Sequence, residues 1–284
     1  MSANAEAIEA WNTVLFQNWE RFRDVLAGAY AHHGEMALRR HPPAPGTRVL
    51  DIGCGYGDTT LRIAELVGPS GEAVGVDAAE NFVVSARLAA EARGVENARF
   101  LVADVQSDSL GGPYDLAFSR FGVMFFASPV AALRNVRCSL VPGGRIAFVV
   151  WRRREDNAWL YDAEVRVREM MPEVEAEMEK KGGPGAFSMA SADTTTDQLL
   201  AAGFSEITLE RCDVDVCVGP TLDAAVEFSM ALGPAGHMLR LAGVEGERRR
   251  PEVARALREM LAAYERPNGV FAPSSTWIVS ARAP

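Results

Sequence analysis

The sequence predicts an α/β protein: a doubly wound, mostly parallel sheet covered by helical additions. Three observations lead there. Short runs rich in Val, Ile, Leu and Phe recur between residues 47 and 151, as strands buried on both faces require. Stretches of helical period separate them, and strand–helix–strand alternation builds right-handed crossovers. A glycine-rich bend stands where the first run gives way to the first helix, the end of an open α/β sheet at which ligands bind. With 284 residues, 48% of them hydrophobic, the chain can bury one large core and an elaboration.

The first forty residues are predicted helical, because Ile8, Trp11, Leu15, Trp19, Phe22 and Leu26 recur at spacings of three and four. That stripe stops near Gly28, and the Pro-rich run 41–46 reads as a linker. A helical cap and linker over 1–46 thus precedes a core over 47–151. In the core, 48–52, 73–76, 99–102, 116–119 and 145–151 are expected strands. Helices are expected at 59–67, 81–93 and 129–140, the last stopped by a turn at Pro142-Gly143-Gly144. Residues 152–284 break the alternation. Stretch 152–198 reads as a polar helical insertion with a loop at Gly182-Gly183-Pro184-Gly185, and a helix over 199–202 follows. In the expected strand 207–218, Val214 and Val216 alternate with Asp213 and Asp215, a half-exposed pattern. Helices over 221–264 and a closing strand at 276–280 complete the expectation.

Composition removes several function classes. Twenty-nine basic residues face 38 acidic ones for a net charge of −9, against the basic face of a nucleic-acid binder or of a surface drawn to anionic lipid. No apolar run approaches the ~18 residues of a membrane span. Glu6 and Glu9 stand where a secretory signal would be basic and then apolar. Four cysteines, Cys54, Cys138, Cys212 and Cys217, form no C-x-x-C pair, so neither disulfides nor a zinc site is expected and a reducing cytoplasm is the expected setting. No acidic cluster has metal-ligand spacing, and no metal is expected. Small molecules are the expected partners, with a homodimer through the helical additions.

The informative stretch is Val49-Leu50-Asp51-Ile52-Gly53-Cys54-Gly55-Tyr56-Gly57-Asp58-Thr59. Gly53 and Gly55 let the backbone turn sharply and approach a ligand. A dinucleotide fingerprint needs glycine at position 58. Asp58 stands there instead, and a carboxylate at a helix start repels a pyrophosphate. With Asp51 at the strand end, the bend suits a ligand with a cationic or zwitterionic end. Twenty residues past Gly57, Asp77 ends the second strand, where a carboxylate accepts from both ribose hydroxyls. Asp104, at the end of the third, can accept from an adenine amine while the neighbouring Val105 N–H serves a ring nitrogen. A fourth strand ends in Ser119-Arg120-Phe121-Gly122. Each of these has a structural alternative: the glycines a turn, the aspartates helix caps, Arg120 a salt bridge, Cys54 a space-filler, Trp11 and Trp19 helix packing.

Taken together, these strand ends resemble the class I S-adenosylmethionine-dependent methyltransferases, the small-molecule group that includes the quinone-biosynthesis type. The resemblance is strong over 47–151 and weaker at Trp11-Asn12, at 119–126 and at 276–279. It implies a Rossmann-like seven-stranded sheet of order 3-2-1-4-5-7-6 with the last strand antiparallel. It implies that S-adenosyl-L-methionine, leaving as S-adenosyl-L-homocysteine, is held by Asp51, Gly53, Gly55, Thr59, Asp77, Ala78, Asp104, Val105, Ser119 and Arg120. The implied activity is methyl transfer to a small, apolar or aromatic acceptor lying under the cap and the later helices, with Trp11, Tyr30 and Phe121 against it. Tyr30, His32, His33, Tyr161 and His237 are the candidate bases, and His33 is taken first because imidazole titrates near neutrality. The alternatives are a non-methylating enzyme on the same cofactor, a nucleotide-binding oxidoreductase and a noncatalytic binding protein.

Overall fold

The computed structural model describes residues 4–171 and 184–284. The apolar runs of the core form β1 (Arg48–Ile52), β2 (Glu72–Asp77), β3 (Ala98–Val102), β4 (Tyr114–Arg120) and β5 (Leu140–Trp151). Between them run α4 (Asp58–Val67), α5 (Glu80–Ala92) and α6 (Pro129–Cys138). The chain ends in β6 (Ser205–Gly219), a two-residue β7 (Glu265–Arg266) and β8 (Gly269–Arg282). The strand order is β3-β2-β1-β4-β5-β8-β6, with β7 on β8. Leaving β7 aside, that is the expected seven-strand order; β8 alone runs against its neighbours, pairing Phe148 with Val279 on one side and Leu209 with Val279 on the other.

The N-terminal cap departs from expectation. Instead of one stripe ending at Gly28, it is three helices, α1 (Ala5–Asn12), α2 (Val14–Arg21) and α3 (Arg23–Arg40). Nonhelical backbone at Thr13 and Phe22 makes the two breaks. Gly28 does not end α3, because the packing of Leu26, Ala29, His33 and Ala37 outweighs one glycine's propensity cost. Pro142-Gly143-Gly144 is not a stop but an irregular start to β5, whose register against β4 shifts between Tyr114 and Leu116. Helix 199–202 is the end of α8 (Ala192–Ala202), begun by a Ser191 hydroxyl that accepts from the Thr194 N–H. Of the expected loop at 182–185, residues 182 and 183 lie outside the described residues, as do 172–181 of the insertion.

Two cores result. One lies on the sheet around Leu50, Ile52, Phe118, Phe148 and Leu133. The second exists because β6 and β8 overrun the sheet: they span 15 and 14 residues where β1 and β3 span five. The overhang from Val214↔Ser274 to Gly219↔Val270 puts Val216, Val218, Val270 and Ala272 under α7 (Ala158–Met170), α9 (Leu222–Ala231), α10 (Gly233–Leu241) and α11 (Gly243–Leu261). This helical block faces the tips of β1, β2 and β4 across a gap spanned by α1–α3.

Candidate active site

At the tip of β1 the Gly53 and Cys54 N–H groups both donate to the Val76 carbonyl, at 2.8 and 3.0 Å, curling the chain toward β2. Gly53 has φ +66°, and a Cβ there would lie 2.7 Å from the Gly122 Cα. Gly55, at φ +52°, faces open space: a Cβ on it meets nothing within 4 Å. Asp77 fastens this bend. Its carboxylate accepts from the Gly55 N–H at 3.0 Å and the Ala79 N–H at 2.9 Å. Each oxygen keeps capacity for another donor. Burial raises its pKa while those N–H groups lower it.

The crevice over these tips, about 160 Å³, is lined by Gly53, Gly55, Thr59, Asp77, Ala78, Asp104, Val105 and Arg120 together. Asp104 accepts from the Gln106 backbone N–H at 3.0 Å and from the Asn4 amide at 3.4 Å. The Asn4 side-chain oxygen Oδ1 is buried without a partner. Among the described residues the Arg120 side chain makes no hydrogen bond or ion pair, so the salt-bridge alternative is not what the structure holds; burial lowers its pKa against the raising fields of Asp51 and Asp58. Cys54 is a buried thiol whose pKa burial raises, a space-filler at the crevice wall.

Three expected site residues lie elsewhere. Asp51 is buried under the crevice floor, where it accepts from the Thr60 hydroxyl at 2.6 Å. Burial lifts its pKa to about 6 despite that bond and the Arg120 charge. Ser119 is fully buried and donates to the Ile52 carbonyl at 2.7 Å, tying β4 to β1. His33 is brought to neither cavity. Its Nδ1 is 3.1 Å from the Thr276 hydroxyl and its Nε2 2.8 Å from the Ser274 hydroxyl. Because the Thr276 hydroxyl donates to the Cys212 carbonyl, it accepts from Nδ1–H and Nε2 accepts from Ser274, a complete set for a neutral ring.

Burial lowers the His33 pKa to about 4, with the His32 charge adding to it. The unfolded chain, with an ordinary histidine pKa of about 6.5, binds this proton first. Stability from the neutral ring is therefore complete above about pH 6.5 and is lost as pH falls toward 4. At about 1.4 kcal/mol per pH unit the loss is on the order of 3 kcal/mol. A His33→Gln variant, compared with the native protein by urea unfolding at pH 7 and pH 4.5, is expected to lose less stability on acidification. An equal loss in both would mean that His33 is not held neutral.

Beside the crevice lies a larger chamber of about 630 Å³. Ala7, Trp11, Trp19, Tyr30, Phe121 and Phe125 line both spaces, so the two adjoin along an aromatic partition. Trp11 meets Phe125 edge-on at 5.0 Å, Tyr30 lies 4.9 Å from Phe121, and Phe121 stacks on Trp151 at 4.7 Å. Phe121 holds φ +65°, costly for a non-glycine residue, with its N–H on the Val149 carbonyl at 3.0 Å. The Tyr30 hydroxyl, its pKa pushed up to about 12 by burial, stays protonated and can donate but not abstract. Helix α1 is held over the crevice by Asn12, whose side-chain oxygen accepts from the Asn81 N–H at 3.2 Å and whose carbonyl accepts from the Asn81 amide at 2.8 Å. Sequence reasoning missed Phe82 and Phe125, which line the crevice, and Trp159, Phe228 and Arg240 in the chamber. Only fold context joins these to the site.

A domain-family model described as "Methyltransferase domain" matches residues 43–203, more than half of the chain, and the chain belongs to that family. Aklanonic acid methyltransferase from Streptomyces sp. (strain C5) is 38% identical over 107 residues, 37% of this chain and 49% of that protein. Nocamycin O-methyltransferase from Saccharothrix syringae is 28% identical over 257 residues, 84% and 89% of the two. Apart from the latter, the chain matches about half the length of relatives such as the Lactococcus lactis demethylmenaquinone methyltransferase, 45% of which is covered. In fold the chain is similar to the YcgJ protein of Bacillus subtilis, with TM-score 0.57 at 18% identity, covering 88% of this chain and 98% of that one. It is also similar to a Haemonchus contortus phosphoethanolamine N-methyltransferase solved with S-adenosyl-L-methionine, with TM-score 0.51 at 15% identity, covering 89% and 52%.

Proposed function

We propose that the protein transfers the methyl group of S-adenosyl-L-methionine to a small, apolar or aromatic acceptor, releasing S-adenosyl-L-homocysteine. The observation that carries this reading is the pair of cavities sharing one aromatic partition, with the polar ligand-binding groups on the crevice side. The crevice fits the cofactor: it offers Asp77 oxygens with spare capacity, an unpartnered buried Asn4 oxygen, and an Arg120 guanidinium without an anion. Asp77 would hold the ribose hydroxyls, Asp104 and the Val105 N–H the adenine edge, and Arg120 the amino-acid carboxylate. When bound, the cofactor supplies a methyl group already activated by its sulfonium.

The protein's share is then positioning and the exclusion of water. Trp11, Tyr30 and Phe121 line both cavities, an aromatic surrounding favourable to a cation and to a flat acceptor. Tyr30 can orient the acceptor by donating a hydrogen bond. Asp51, buried beneath the floor, adds a negative field to Arg120 without touching the ligand. The acidic net charge supports a small acceptor over nucleic acid, and four free cysteines support a reducing compartment. No helix among the described residues is long and apolar enough to cross a membrane.

The test is a melting experiment followed by turnover. S-adenosylmethionine and S-adenosylhomocysteine are expected to raise the melting temperature and NAD to leave it unchanged, since a ligand of the native state stabilises it. Labelled cofactor incubated with a panel of phenols, naphthols and aromatic acids should yield S-adenosylhomocysteine in step with methylated product. Stabilisation by NAD alone would overturn the reading. Cofactor binding with no methylated product would favour a non-methylating enzyme on the same cofactor.

A further inference from the structure

Helix α10, which forms one wall of the chamber, reads Gly-Pro-Ala-Gly-His-Met-Leu-Arg-Leu. It has two polar side chains, His237 and Arg240, and both line the chamber. Their spacing of three puts them on one face, while Ala235, Gly236, Met238 and Leu239 are buried on the other. His237 and Arg240 are both solvent-exposed, and they stand on the wall of a cavity otherwise lined by Trp11, Trp159, Phe228 and their neighbours.

The two arginines of the chamber differ. Arg154 is paired with Glu164, its Nη1 2.7 Å from a carboxylate oxygen that Arg168 shares at the same distance. Arg240 donates one Nη1–H to the Ala231 carbonyl at 2.7 Å, at the C-terminal end of α9, and among the described residues it has no carboxylate within ion-pair distance. Burial lowers its pKa with no charged partner offsetting the cost. A guanidinium on a cavity wall, with donors left over and no carboxylate of its own, can take an anion there by charge-assisted hydrogen bonds. Neither His237 nor Arg240 reaches the crevice; the residues common to both cavities are apolar or aromatic apart from the Tyr30 hydroxyl.

We infer that Arg240 anchors an anionic group of the acceptor, a carboxylate or an acidic enolate on an aromatic frame. That group is a handle and not the methylated atom, because methyl transfer must occur at the aromatic partition, which Arg240 does not line. The inference rests on the methyltransferase reading and narrows its acceptor to aromatic acids that present a second nucleophilic atom to the cofactor.

The test uses the protein saturated with S-adenosylhomocysteine, titrated calorimetrically at pH 7.5 with 2-naphthoate and with uncharged 2-naphthamide. Native protein is expected to bind the acid about tenfold tighter than the amide, the worth of a charge-assisted hydrogen bond. Arg240→Gln is expected to abolish that preference and Arg240→Lys to retain part of it. Equal affinities in the native protein, no binding of the acid, or a preference surviving Arg240→Gln would overturn the anchor. The two readings fail separately. If S-adenosylhomocysteine does not raise the melting temperature, the cofactor reading falls; if it does and the acid is not preferred, only the anchor falls.

Discussion

Replacing Asp77 with Ala is expected to weaken the binding of S-adenosylhomocysteine by at least a factor of about 100. Two effects add. The ribose loses its acceptor, and hydrogen bonds to a charged group are each worth about 1.5–3 kcal/mol, which for two hydroxyls is roughly two to four orders of magnitude. The bend also loses its clamp, because the Gly55 and Ala79 N–H groups both rely on this carboxylate. The ligand-free melting temperature should move little, since removing a half-buried carboxylate relieves its desolvation as the two backbone bonds are lost. Asp77→Asn should fall between, because its single carbonyl oxygen can serve only one side of the bend. Titration calorimetry decides the matter: an unchanged dissociation constant in Asp77→Ala would remove the ribose assignment.

Gly53→Ala is expected to cost the fold about 3 kcal/mol. A left-handed conformation in a residue with a Cβ costs roughly 1–2 kcal/mol, and forcing an atom into a filled space costs about 1–3 kcal/mol more. The space cannot open, because the Cβ would lie 2.7 Å from Gly122 Cα, and a Cβ on Gly122 would in turn lie 2.6 Å from the Ile52 carbonyl. Two strand tips thus touch backbone to backbone. Gly55→Ala is the informative companion. It has the same sign of φ but no neighbour within 4 Å, so it should cost only the conformational part while pointing a methyl group into the crevice. Urea unfolding should show the larger loss at Gly53, whereas binding of S-adenosylhomocysteine should suffer even where Gly55→Ala leaves the fold nearly intact. Similar stability losses in both variants would mean that the contact with Gly122 is not tight.

The core strands were legible from local signals, while their order came only with the family resemblance. Apolar runs marked β1 to β5, and residues at strand tips inherit their position from the topology: Asp77, Asp104 and Arg120 could converge once the order was known. Asp51 was misplaced for a reason a linear sequence conceals. Strand residues alternate in direction, and a one-residue difference at a strand end decides between the crevice and the layer beneath it, where Thr60 on α4 receives Asp51. His33 looked like a base at the end of a helix because no local signal shows Ser274 and Thr276, some 240 residues away, arriving on β8 to occupy both ring nitrogens. Gly28 and Pro142 were given too much weight as breakers, since tertiary packing and a strand irregularity accommodate them. The chamber was the least legible part. Its walls come from α1, α2, α3, α7, α9 and α10, elements far apart in the sequence.

The aromatic partition has a thermodynamic consequence. Trp11, Trp19, Tyr30, Phe121 and Phe125 each belong to the walls of two spaces, so a molecule that orders them from one side alters the surface offered on the other. The affinities of the two sites are therefore linked. Whatever factor the first ligand applies to the second, the second applies to the first. Order of addition cannot change the final balance.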